Sequence, residues 1–141
     1  HILTAIRFRK GETFSEDASI TGISLSGIRG DGIYNIENGE WTGLSSERTF
    51  TMTDPGLAFM LPPQEFGYGS SACLNITVTE NGYSETGSIP LEGHKWEKGK
   101  LTTYIISYSG GHFSVNSTEN LFTSGDITIN ETNEDNTINE F

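Results

Sequence analysis

Two pairs of turn residues, Asn81-Gly82 and Gly110-Gly111, each separate runs in which apolar and polar residues alternate. This combination narrows the fold more than any other feature of the chain. A two-residue loop of this composition needs φ above zero at both positions and joins antiparallel strands. Before the first turn, Ala72, Leu74, Ile76 and Val78 alternate with Cys73, Asn75, Thr77 and Thr79, the pattern of a strand with one buried face. After it, the chain turns back toward Tyr83 and Ser84. Around the second turn, a Gly-Gly loop sets Tyr108 opposite Phe113 and Ile106 opposite Val115. All four then share one face, so turn chemistry and hydrophobic pattern select the same register.

The remaining segments read the same way. Ile2 to Arg9 is a strand with Ile6 and Phe8 alternating against Arg7 and Arg9. Ser19 to Ile28 is a second, whose apolar set slips by one residue between Ile20 and Ile23; Gly22 at the slip marks a β-bulge. Tyr34 to Thr42 contains Asn38-Gly39, and a two-residue loop there pairs Glu37 with Glu40 and Ile36 with Trp41. Thr49 to Thr53 ends in the turn Asp54-Pro55-Gly56. Leu57 to Leu61 is apolar on both faces, as expected of a central strand, and Pro62-Pro63 stops it. Asp126 to Asn130 is a last short strand.

Composition agrees. Gly, Thr, Ser and Asn supply 59 of the 141 residues against four Ala, which disfavours helices and favours short strands joined by tight turns. The expected architecture is all-β: a β-sandwich of about 8–10 short strands with little or no helix. Residues 1–130 form the sandwich domain, and residues 131–141 an acidic mobile tail.

Charge narrows the function. Nineteen acids against eight Lys and Arg give a net charge of −11, which opposes binding to nucleic acid or an anionic membrane. From Leu101 onward there are six acids and no Lys or Arg. No apolar run approaches the roughly twenty residues of a membrane-spanning helix. The chain starts at His1 and enters a strand pattern at once, which implies sequence upstream.

Candidate chemistry is sparse. His1, His94 and His112 have no Ser, Cys or carboxylate motif beside them, so no catalytic residue and no enzyme activity is expected. Cys73 forbids an internal disulfide, and no Cys/His spacing suits zinc. The oxygen-rich stretches Asp31 to Glu40 and Asn133 to Glu140 lack the spacing of a calcium loop. Neither a metal nor a cofactor is expected. Trp41 is accounted for by its hairpin partner. Trp96, in a polar loop before a strand, either plugs the end of the sandwich or is an exposed contact aromatic for a glycan.

Four motifs, in order over residues 1–117, resemble the fimbrillin family of Bacteroidetes, the subunits of type V pili, and mainly its C-terminal domain. His1-Ile2-Leu3-Thr4-Ala5-Ile6-Arg7-Phe8 looks like the family's strand that opens on a His. Ile23-Ser24-Leu25-Ser26-Gly27-Ile28, then Gly32-Ile33-Tyr34 and Gly39-Glu40-Trp41, is similar to its run ending in Gly-x-Trp. Phe59-Met60-Leu61-Pro62-Pro63-Gln64 looks like its Leu-Pro-Gln strand with one extra Pro. Trp96-Glu97-Lys98-Gly99-Lys100, leading into Thr103-Tyr104-Ile105-Ile106, is similar to its Trp-x-x-Gly-Lys-x-Tyr-x-Tyr signature, with the second aromatic missing or displaced.

The resemblance implies a transthyretin-like Greek-key sandwich and a lipoprotein precursor exported to the outer membrane. It also implies a structural or adhesive role in cell-surface fimbriae, with assembly by donor-strand exchange. Its partners would be other fimbrial subunits, joined by β-strand addition, and a host or bacterial surface receptor or glycan. The donor strand would be Asp126 to Phe141, with Ile127, Ile129, Ile138 and Phe141 as its apolar positions; the alternative is a last native strand followed by a solvated tail. The second functional reading is a carbohydrate-binding module of a surface glycan-uptake system.

Overall fold

The computed structural model of the protein describes residues 2–52, 56 and 58–121. The described residues contain twelve β-strands and no helix. In chain order these are β1 (Thr4–Phe14), β2 (Ala18–Arg29), β3 (Ile33–Asn35), β4 (Glu40–Thr42), β5 (Glu47–Met52) and β6 (Phe59–Leu61). They continue with β7 (Gln64–Glu65), β8 (Cys73–Glu80), β9 (Tyr83–Pro90), β10 (Lys95–Trp96), β11 (Lys100–Ser109) and β12 (His112–Leu121). Two four-stranded sheets, ordered β12-β11-β1-β6 and β5-β2-β8-β9, make the sandwich. Two-stranded ribbons β3-β4 and β7-β10 accompany them. One core fills the space between the sheets: Ile6, Phe8, Tyr104 and Ile106 from the first meet Ile23, Leu25, Leu74 and Ile76 from the second.

The two sequence-read hairpins form in the expected register. Asn81 (φ 51°) and Gly82 (φ 83°) join β8 to β9, and Glu80 faces Tyr83. Gly110 and Gly111, both at positive φ, join β11 to β12; Tyr108 faces Phe113 and Ile106 faces Val115. The bulge in β2 also lies where expected: Ile20 pairs with Val78 and Gly22 with Thr77, leaving Thr21 as the extra residue. A second irregularity, against β5, falls between Leu25 and Ile28. It is centred on Gly27, at φ +73°, where a Cβ would lie 2.9 Å from the Ala72 Cα.

Three expectations are corrected. The β3–β4 hairpin closes through four residues, 36–39, so Tyr34 faces Trp41, Asn35 faces Glu40, and Ile36 is 86% exposed. Asparagine side chains favour the wider loop: Asn35 Oδ1 accepts from the Glu37 N–H, Asn38 Oδ1 from the Glu40 N–H, and the Gly39 N–H donates to the Asn35 carbonyl at 2.8 Å. The apolar segment ending at Leu61 is no central strand. β6 has three residues and lies at a sheet edge, paired with Thr4–Ile6 of β1. Its hydrophobicity answers to contacts: Phe59 packs edge-on against Phe8 and Phe50, while Met60 is 39% exposed. Finally, Arg7 is buried, because β1 lies inside its sheet between β6 and β11; its Nε donates to Thr103 Oγ1 at 3.0 Å. β1 and β11 run parallel, a pairing no local turn announces.

Candidate functional site

A β-sandwich meets partners through its sheet edges and its loops. The four edges differ. β6 is three residues long and is followed by Pro62-Pro63. β5 has six residues and begins with the charged pair Glu47-Arg48. β9 points Glu85 inward and ends at Pro90, and both features deter an added strand. β12 has none of these defences. It pairs along all ten residues with β11, carries a single charge, Glu119, and has no Pro. Among the described residues its other edge pairs with no strand. On its inner side Phe113 and Val115 are only partly buried against the core. Phe113 reaches across to β9, where Gly87 leaves room for it; a Cβ there would stand 2.9 Å from the ring. Tyr108 packs on Phe113 at 4.9 Å between centroids, and its hydroxyl donates to Glu85 Oε2 at 3.0 Å. Burial, then the Glu85 and Glu80 carboxylates, raise the Tyr108 pKa.

The longer loops gather at the opposite end from the two tight hairpin turns. They include the segments between β2 and β5, between β6 and β8, and between β9 and β11. Trp96 belongs to this end and is 1% exposed, so it is a plug and not an exposed contact aromatic. β10 pairs it with Gln64 of β7, its ring meets Phe66 edge-on at 4.8 Å, and its Nε1–H donates to the Tyr104 hydroxyl at 3.0 Å. His94 Nδ1 lies 3.1 Å from the same hydroxyl. Burial pushes the Tyr104 pKa up to about 12, against a smaller lowering by the Trp96 hydrogen bond. Polar neighbours in sequence left the plug and the exposed contact both open; its acceptor, eight residues on, is the signal that could have decided between them.

Trp41 replaces it as the accessible indole. It is partly exposed, stacks at a tilt on Tyr34 at 5.4 Å and donates its Nε1–H to the Ile2 carbonyl at 2.8 Å. Cys73 is a free, partly buried thiol on the outer face of β8, and His112 is exposed beside its turn. No group of three or more His, Cys, Asp or Glu among the described residues is placed to hold a metal ion. The donor-strand positions Asp126, Ile127, Ile129, Ile138 and Phe141 lie outside the described residues, as do the boundary at 130 and most of the Asp54-Pro55-Gly56 turn.

No family model and no curated protein matches the chain. Solved structures do. A candidate cell adhesion protein from Bacteroides uniformis superposes on 87% of this chain and 51% of its own, with a TM-score of 0.60 and 18% identity. A second candidate cell adhesion protein, from Bacteroides ovatus, covers 86% of this chain and 45% of its own, with a TM-score of 0.57 and 16% identity. A fimbrial protein from Bacteroides vulgatus covers 87% and 55%, with a TM-score of 0.45 and 14% identity. The chain shares the β-sandwich fold of the first two and spans about half their length.

Proposed function

We propose that the protein is a structural and adhesive subunit of cell-surface fimbriae, held to its neighbours by strand addition at β12. The open, proline-free edge of β12, with Glu119 as its one charge, carries this reading. The fold shared with two candidate cell adhesion proteins and the fimbrillin-like motifs support it. An added strand gains a ladder of main-chain hydrogen bonds and covers the half-buried Phe113 and Val115. Those two residues sit at i and i+2, the spacing of Ile127 and Ile129 in the candidate donor Asp126 to Phe141 of a neighbouring copy. The partners are other subunits of the same fimbria, the location is the outer surface of the outer membrane, and the role needs no catalysis.

The test is concentration-dependent association of the full chain, followed by light scattering. Asn116→Lys with Thr118→Lys places two cations on the edge strand and abolishes association without changing the unfolding free energy from urea titration by more than about 0.5 kcal/mol. Truncation after Gly125 abolishes it too. Association that survives both changes refutes the reading.

A further inference from the structure

Trp41 is an indole that the main core does not use. Three constraints hold it: the Nε1–H bond to Ile2, the tilted stack on Tyr34, and Gly32, where a Cβ would stand 3.0 Å from the Trp41 Cε3. Lys98 fixes the hairpin from the other side, donating from Nζ to the Gly39 carbonyl at 2.8 Å and lying 5.8 Å over the Tyr34 ring. A ring this constrained loses little entropy when something stacks on it.

The same ring lines an open cleft of about 640 Å³, between the hairpin and the β7–β10 ribbon. Pro63 adds apolar surface. Both cations of the cleft are engaged: Lys95 pairs with Glu97 at 3.6 Å, and Lys98 is bonded to Gly39. Glu40 and Glu65 are left as carboxylates without an ion pair among the described residues. The cleft therefore offers a flat apolar face and hydrogen-bond acceptors, and its three carboxylates, Glu40, Glu65 and Glu97, outnumber the ammonium groups of Lys95 and Lys98, which disfavours anions. A ligand that matches has a C–H-rich face, several hydroxyl donors and no negative charge.

We propose that this cleft binds a neutral saccharide, stacked on Trp41 with hydroxyls donating to Glu40 and Glu65. The proposal goes beyond the fimbrial reading and stands independently of association at β12, since it concerns the other end of the strands and a different set of residues.

Tryptophan fluorescence of the full chain tests it. Trp96 also borders the cleft but is buried with its N–H bonded, so emission detects binding and calorimetry on Trp41→Leu assigns it to Trp41. Probes are mannotriose, cellotriose and lactose, with 3′-sialyllactose as the anionic counterpart of the last. The expected result is saturable change with at least one neutral probe, lost in Trp41→Leu and weakened roughly tenfold in Glu65→Gln or Glu40→Gln by calorimetry. Sialyllactose binds more weakly than lactose. Should Trp41→Leu fail to fold, the two glutamine variants, which alter exposed side chains, decide. The proposal is overturned if no neutral probe saturates, if calorimetric affinity is unchanged in both glutamine variants, or if sialyllactose binds more tightly than lactose.

Discussion

Replacing Tyr104 by Phe removes one buried oxygen and keeps the ring, and its effect depends on pH in a calculable way. At neutral pH the change leaves the Trp96 Nε1–H, now bonded at 3.0 Å, buried without an acceptor. An orphaned donor of this kind costs about 1–3 kcal/mol. In alkali the wild type loses its advantage. The Tyr104 pKa is raised from 10.0 to about 12 by burial, so the unfolded chain sheds this proton first. A raised folded-state pKa contributes stability that is complete below pH 10 and is lost as pH climbs through 12. A rise of this size corresponds to roughly 2.7 kcal/mol at 1.36 kcal/mol per unit. Phe has no proton to lose. The gap between wild type and Tyr104→Phe therefore starts at about 1–3 kcal/mol at pH 8 and closes, to within about 1 kcal/mol, by pH 12. Urea denaturation followed by circular dichroism at pH 8, 10, 11 and 12 measures it, and other titrating groups, Tyr108 included, cancel in the difference. A gap that stays constant from pH 8 to 12 refutes the buried hydroxyl network.

Other substitutions probe the fold at single points. Gly27→Ala forces a Cβ against the Ala72 backbone at an unfavourable φ and destabilises by about 2 kcal/mol or more, whereas Gly67→Ala, with nothing within 4 Å, stays within about 0.5 kcal/mol; urea midpoints compare the two. Ile76→Ala empties the centre of the sandwich from β8 and costs about 2–5 kcal/mol by the same measurement. Asn35→Ala removes the acceptor for the Glu37 N–H; amide exchange speeds up over residues 36–39 while the global stability changes by less than about 0.5 kcal/mol.

What could be read from the sequence was whatever the chain settles locally. At Gly110-Gly111 the turn dictates its register, and the apolar residues beside it agree, so neither needs the rest of the molecule. The same logic failed at Asn38-Gly39, because Asn35 and Asn38 supply side-chain acceptors that stabilise a loop two residues wider. β9 was nearly silent for a different reason. Its outward positions are Ser84, Thr86 and Ser88, and only Ile89 signals the core, so its strand character comes from pairing with β8. Pairing over distance was illegible throughout. Nothing near Phe8 marks Tyr104 as its parallel neighbour, 96 residues away, although that pair stacks at 5.9 Å in the core. The two tryptophans bring these cases together. The sequence pairs Trp41 with a hairpin partner and leaves Trp96 in a polar loop, and neither reading fixes which indole is accessible. Trp96 is buried because Tyr104, delivered by the parallel β11, accepts its N–H; Trp41 finds only the Ile2 carbonyl, at the end of the sandwich, and so keeps part of its ring accessible. The indole that can meet a partner is thus chosen by which acceptor the long-range topology places within reach.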